Sequence, residues 1–140
     1  MSIYIHIPFC TNICTYCDFC KMYYSKKYIG DYLISLKKEI LERYNGEKIK
    51  TIFIGGGTPT SLDKDELTKL LEITKIFNTE KEIEFTIESN VESLNENKLQ
   101  IMKKYGVNRL SIGVQSFNEQ ILKILGRNHT KEDIYNKNIR

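Results

Sequence analysis

The sequence predicts an α/β fold in which about four β–α units build a parallel sheet, as in a partial, truncated (β/α) barrel. Three observations lead there. Short β-branched runs alternate with segments of helical period. Glycine or Asn-Gly stops follow the helical segments. The residues with the most chemical character come directly after the strands, where open and closed parallel sheets place their ligands.

The elements follow in order. Ile3-Tyr4-Ile5-His6-Ile7 reads as the first strand, short, β-branched and aromatic. From about Ser25 to Tyr44, Ile29, Leu33, Leu36, Ile40 and Leu41 recur at threes and fours, and Asn45-Gly46 ends the helix. Lys50-Thr51-Ile52-Phe53-Ile54 is the second strand and runs into Gly55-Gly56-Gly57. Asp63 or a neighbour caps a helix with Leu67, Leu70, Leu71 and Ile73 on its apolar face. Ile83 to Ile87 alternates as a third strand, and Asn95 to Tyr105 is helical, stopping at Gly106. Arg109 to Val114 is the fourth strand, Asn118 to Leu125 a helix stopping at Gly126, and Thr130 caps a further helix. Strand–helix alternation of this kind implies parallel strands with right-handed crossovers.

The bulk composition is that of an ordinary globular chain, with 41% hydrophobic and 28% charged residues in 140. A net charge of +3, from 21 basic and 18 acidic residues, gives no case for a nucleic-acid partner. No apolar run is long enough to span a bilayer, so stable membrane insertion is not expected. The start lacks the charged and apolar regions of a secretory signal, and a cytoplasmic location is the expectation.

The four cysteines are the unusual feature. All lie between Cys10 and Cys20, too close together to staple distant segments as disulfides. The spacing is Cys10-x3-Cys14-x2-Cys17-x2-Cys20. Thiolates suit zinc and iron–sulfur clusters alike. Structural zinc usually takes two ligand pairs separated by a longer loop, and no second pair exists here. The bacterial ferredoxin run differs too, because its three-residue gap comes last and a proline follows.

The C-x3-C-x2-C spacing resembles that of the radical S-adenosylmethionine (SAM) superfamily. That resemblance implies a [4Fe–4S] cluster on Cys10, Cys14 and Cys17, with the fourth iron open to the amino and carboxylate groups of SAM. An electron from the reduced cluster would then cleave the sulfonium. The flanks, Tyr4-Ile5-His6-Ile7-Pro8-Phe9-Cys10 and Tyr16-Cys17-Asp18-Phe19, resemble the oxygen-independent coproporphyrinogen III oxidase family, and within it the HemW (heme chaperone) subfamily. A fourth cluster ligand would close the open iron. The extra cysteine of the coproporphyrinogen dehydrogenase branch sits in a Cys-x-Cys step, whereas Cys20 sits in Cys-x-x-Cys, so Cys20 reads as a bystander.

Three further segments extend the resemblance from Tyr4 to His129. Gly55-Gly56-Gly57-Thr58-Pro59-Thr60 is neither a dinucleotide fingerprint nor a P-loop. It resembles the family's segment beside the methionyl part of SAM, which makes Gly56, Gly57 and Thr58 cofactor-binding candidates. Glu88, in Glu88-Ser89-Asn90, would accept from ribose hydroxyls or balance the sulfonium. The family usually has proline where this chain has Val91, which leaves the path of that loop open. Gly113-Val114-Gln115-Ser116-Phe117 and Leu125-Gly126-Arg127-Asn128-His129 resemble forms carried by HemW-like members, which implies SAM contacts for Gln115 and Arg127. The Arg127 fork suits bidentate carboxylate binding. Tyr4 and Tyr16 match positions that line SAM sites. His6 and His129, the only two histidines, could approach a heme or porphyrin, although packed or exposed histidines are commoner.

The resemblance implies a cytoplasmic protein that binds the cluster, SAM and heme and passes heme to an acceptor, with an electron donor as a further partner. An oxygen-independent coproporphyrinogen III dehydrogenase is the alternative, and a structural zinc module a third. Residues 1–140 read as the N-terminal part of a radical SAM domain, without the remaining barrel units and C-terminal domain that the family has. Four units do not close an eight-unit barrel, so a fragment with weak or no function in isolation is the expectation. Cooperative unfolding of the isolated chain would contradict it.

Overall fold

A computed structural model describes residues 1–137. Its strands and helices, in order, are β1 (Ser2–Ile7), β2 (Phe9–Cys10), β3 (Met22–Tyr23), α1 (Lys26–Arg43), β4 (Ile49–Gly56), α2 (Lys64–Ile73), β5 (Thr79–Asn90), α3 (Glu96–Lys104), β6 (Arg109–Gly113), α4 (Glu119–Ile124) and α5 (Lys131–Asn136). The main sheet has the order β1-β4-β5-β6, with every neighbouring pair parallel. This is the expected series of β–α units.

Register decides where the strands end relative to one another. Ile7 lies opposite Gly56, Ile54 opposite Ile87, and Asn90 opposite Gly113. The four carboxyl ends therefore finish along one rim. The sheet stays in this register because its apolar side chains must face the helices, and a one-residue slip would turn them away. Ile5, Ile7, Ile52, Ile54, Phe85 and Ile87 meet Ile29, Leu33, Leu67, Leu70 and Leu71 in one core. Helix α1 rests on α2, and α2 on α3.

Several boundaries differ from expectation. The third strand runs from Thr79, four residues earlier than its apolar alternation, because Thr79 already pairs with Ile49 of β4 before the register shifts and pairing resumes at Thr51 and Glu84. On α1, Ile29, Leu33 and Ile40 are buried, but Leu41 lies a further 100° round the helix and is 60% exposed. The pair β2–β3 has no counterpart in the sequence reading. Among the described residues, no helix is long and apolar enough to cross a membrane.

Helix α2 begins as its sequence requires. The Asp63 carboxylate accepts from the backbone N–H groups of Asp65 and Glu66, and Glu66 reciprocates by accepting from Asp63 N at 2.8 Å. The backbone N–H of Glu66 is the main cause holding the Asp63 carboxyl below its ordinary value of 3.8, with Lys26 assisting. A lowered folded-state pKa stabilises above the unfolded value and ceases to do so as pH falls through the folded one. Asp63→Ala is therefore expected to cost about 0.5–2 kcal/mol near neutral pH in urea unfolding. The difference from wild type should shrink on acidification below 3.8. A cost that stays constant with pH would contradict the ionic cap.

Candidate functional site

The cysteine loop is closed by backbone pairing at its base. Met22 N donates to Pro8 O and Tyr24 N to Cys10 O, both at 2.8 Å, forming the small parallel pair β2–β3. Residues 11–21 thus leave and return at the carboxyl end of β1. Inside the loop, Cys17 N donates to Cys14 O and Lys21 Nζ to Cys17 O. His6 Nε2 donates to Cys20 O at 2.8 Å. A carbonyl can only accept, so Nδ1 of the neutral ring accepts from the Tyr4 hydroxyl at 2.9 Å. Cys10 is buried, Cys14 and Cys17 are half-buried, and Cys20 is exposed.

The glycines after β4 let two backbones approach. Gly57 N donates to Ile7 O, and Thr58 N to Phe9 O, each at 2.8 Å. A Cβ on Gly57 would lie 2.8 Å from Cys10 Sγ and from the Pro8 carbonyl carbon and oxygen. Gly56 has φ +120°, and a Cβ there would lie 2.7 Å from the His6 ring. Only glycine serves at either position.

Strands β5 and β6 supply the rest. Glu88 Oε2 accepts from Gly56 N at 3.0 Å, which fastens the glycine turn to the tip of β5. Gln115, two residues beyond β6, has φ +67°, a left-handed backbone that costs energy in a non-glycine residue and recurs at functional sites. Arg127 is brought in by the turn after α4. Its Nη2 donates to Gly113 O (2.8 Å), Asn90 Oδ1 (3.0 Å) and Glu92 (3.4 Å), and its Nη1 to Cys14 Sγ (3.5 Å). Its Nε is buried without a partner. Asn12 Nδ2 donates to Gly126 O at 2.8 Å, so the same turn also clasps the cysteine loop.

These groups surround one cavity of about 210 Å³. Cys10, Cys14 and Cys17 line one side with Tyr16, and Gly56, Gly57 and Thr58 form the floor beside them. Glu88, Gln115 and Arg127 complete the ring. Tyr4 does not line it, because it lies two residues before His6 on the same strand face and its hydroxyl is spent on that ring. Asn12, Lys21, Ser89, Asn90 and Ser111 line the cavity and were not anticipated from sequence. Asn90 carried a legible signal: it follows Glu88 by two on the same strand and so shares its face. Among the described residues, no three of His, Cys, Asp and Glu converge as they would round a single ion.

Burial pushes the Cys10 thiol up. The Thr58 hydrogen bond opposes this, while Cys17 and Cys14 add to it. Burial also raises the Tyr16 hydroxyl, with Cys14 contributing. Burial works against the Arg127 charge, but Cys14 and Glu92 more than offset it and hold the guanidinium above its ordinary value. A bidentate grip on a carboxylate would require Nη2 to give up one of its present partners. Both histidines are engaged at both nitrogens. His129, buried, faces Glu92 at 3.2 Å through Nδ1 and donates to Val114 O at 3.1 Å through Nε2. As folded, neither offers a free nitrogen for an axial bond to iron.

The strand exits of one parallel sheet thus gather three cysteines, a glycine turn and a buried arginine. Residues 4–137 match the Radical SAM superfamily, and the chain belongs to that superfamily. Its members in general use a [4Fe–4S] cluster and SAM. The chain is 43% identical over 139 residues to "Heme chaperone HemW" of Bacillus subtilis (strain 168), covering 96% of this chain and 37% of that protein. It is 32% identical to "Oxygen-independent coproporphyrinogen III oxidase" of Escherichia coli (strain K12), covering 96% of this chain and 31% of that protein. The solved structure of coproporphyrinogen III oxidase (HemN) from Escherichia coli, described as a radical SAM enzyme, superposes with a TM-score of 0.87 at 31% identity. That match covers 96% of this chain and 32% of the other. The chain thus spans about a third of the length of the relatives it matches.

The glycine turn yields a direct test. Gly57→Ala is expected to displace Pro8 or Cys10, because the added carbon would meet the Pro8 backbone as well as the Cys10 sulfur. It should lower stability by about 1–3 kcal/mol, the range for overpacking. Gly30→Ala, mid-helix with nothing within 4 Å of the added carbon, should instead stabilise by about 0.5–1 kcal/mol. Thermal or urea melts of both variants check the contrast, and equal effects would contradict it.

Proposed function

We propose that this chain is the cluster- and SAM-binding part of a HemW-like heme chaperone. The observation that carries this reading is the convergence of Cys10, Cys14 and Cys17 with the glycine turn and Arg127 on one cavity, in a chain 43% identical to a protein named heme chaperone. Cys10, Cys14 and Cys17 are the proposed cluster ligands, and the donor chemistry fits. The three cysteines line one cavity, and cysteine thiolates are the donors that hold iron–sulfur clusters. Held by these cysteines, such a cluster would supply the electron for cleaving the sulfonium of SAM.

The chain's own residues have assignable parts. Gly56 and Gly57 let their turn pack against His6, Pro8 and Cys10, and with Thr58 they line the cavity where the methionyl group would lie. Glu88 keeps Oε2 on Gly56 N and leaves Oε1 for a ribose hydroxyl. Arg127 offers Nε–H, its one unpartnered buried donor, to the carboxylate of SAM. Gln115 and half-exposed Tyr16 border the opening. Cys20 lies outside the ligand set: it is exposed, does not line the cavity, and its carbonyl is tied down by His6. Heme, an acceptor for it and an electron donor are the proposed partners, in a cytoplasmic setting.

The likeness to coproporphyrinogen III oxidase in both sequence and structure supports a second reading, an enzyme that decarboxylates a porphyrinogen. Two measurements separate them. The cluster-loaded protein is expected to bind heme, seen as a shifted Soret band on titration, and to form no protoporphyrinogen IX from coproporphyrinogen III under anaerobic, reducing conditions with SAM. Product formation would favour the oxidase. Cluster-loaded protein that leaves heme in its free state would contradict the chaperone.

A further inference from the structure

Asn90 stands at the last position of β5, opposite Gly113 of β6. A Cβ on Gly113 would lie 2.9 Å from Asn90 Oδ1, so the amide is seated close over the neighbouring strand. Its two ends make different bonds. Oδ1 accepts from Arg127 Nη2 at 3.0 Å, and Nδ2 donates to Thr58 Oγ1 at 2.9 Å. This orientation is chemically forced. A guanidinium only donates, so the amide oxygen must face Arg127 and the amide nitrogen must face Thr58.

The consequence extends to both sides. A hydroxyl has one proton, and Thr58 Oγ1, already accepting from Asn90, is free to direct that proton to Cys10 Sγ, 3.7 Å away. Arg127, held at Nη2, presents Nη1 to Cys14 Sγ at 3.5 Å. One amide therefore links two sulfurs through two donors: Cys10, Thr58, Asn90, Arg127 and Cys14 form a single chain of hydrogen bonds. Nothing in the sequence spacing would have joined them.

We propose that Asn90 is a positioning residue that aims hydrogen-bond donors at the sulfurs of Cys10 and Cys14 and so sets how readily a cluster on those sulfurs accepts an electron. The inference rests on the reading of these cysteines as cluster ligands. Donors to ligand sulfur stabilise the more negative, reduced state, and they are among the means by which proteins set iron–sulfur potentials. Asn90 touches neither sulfur and acts only through Thr58 and Arg127.

The test is redox titration of the reconstituted protein, followed by the EPR signal of the reduced cluster. Wild type, Asn90→Ala, Thr58→Val and the double variant are compared. Asn90→Ala and Thr58→Val should each lower the reduced-to-oxidised ratio at a fixed potential by about three- to tenfold, tenfold being about 59 mV for one electron. Thr58→Val in the Asn90→Ala background should add little, since the hydroxyl has already lost its orientation. Potentials that stay within a factor of two of wild type, or shifts that simply add, would overturn the proposal. Should Asn90→Ala fail to fold or load, Asn90→Leu, which keeps the volume and removes both hydrogen bonds, takes its place, and an unmoved potential there overturns the proposal. A purely structural Asn90 would change melting temperature and leave the potential of loaded protein in place, which also counts against the proposal. A wild-type chain that takes up no iron and sulfide would defeat the cluster reading and this inference with it, whereas loaded chains with equal potentials defeat this inference alone.

Discussion

Two stretches of backbone meet at Gly57 and Pro8, and the site depends on that contact. The exit of β4 donates hydrogen bonds to Ile7 O and Phe9 O, and the hydrogen of Gly57 leaves room for the Cys10 sulfur and the Pro8 carbonyl. A polypeptide that must carry a cysteine sulfur beside another loop without a gap has few options. A side chain there would hold the two segments apart by its own width. Glycine removes that width, and the 2.8 Å that a Cβ would have to share shows how little space remains.

The sheet makes this contact possible. Parallel register brings the ends of β1, β4, β5 and β6 to one rim, so segments far apart in sequence become neighbours there. Arg127 then ties the rim together. Its guanidinium reaches β6 at Gly113, β5 at Asn90, and the cysteine loop at Cys14, while Asn12 binds the preceding residue from the other side. A buried cation requires such partners to offset its desolvation. Glu92 supplies opposite charge and the rest supply hydrogen bonds. The radical SAM assignment and the local chemistry are thus consistent: the rim brings together thiol sulfurs, a close-approach backbone and a held cation.

Much of this was legible in the sequence, for physical reasons that also explain the omissions. The strands at Ile3–Ile7, Ile52–Ile54 and Leu110–Ile112 announce themselves by β-branched residues, and the helix after Asp63 by a capping carboxylate and the spacing of Leu67, Leu70, Leu71 and Ile73. The small pair of Phe9–Cys10 with Met22–Tyr23 has no such signal, because two residues carry no period and their pairing comes from closing the loop. At the site, the cysteines and the triple glycine were readable as motifs. Tyr4 matched the family's spacing, yet its hydroxyl is taken up by His6, a partner two residues away whose orientation only the folded strand fixes. Asn90 and Glu92 were passed over because their importance lies in touching Arg127, 37 and 35 residues distant. Separations of that kind are set by topology rather than by local pattern.

The central claim, that three cysteines of four hold a [4Fe–4S] cluster, is tested most directly by iron and acid-labile sulfide analysis after anaerobic reconstitution of wild type and of the four single Cys→Ser variants. Equal amounts of iron and sulfide are expected in wild type and in Cys20→Ser, with the charge-transfer absorption of a brown cluster. That content should fall sharply in Cys10→Ser, Cys14→Ser and Cys17→Ser. Stoichiometric zinc without sulfide, or a Cys20→Ser variant that loses its cluster as completely as the others, would contradict the account.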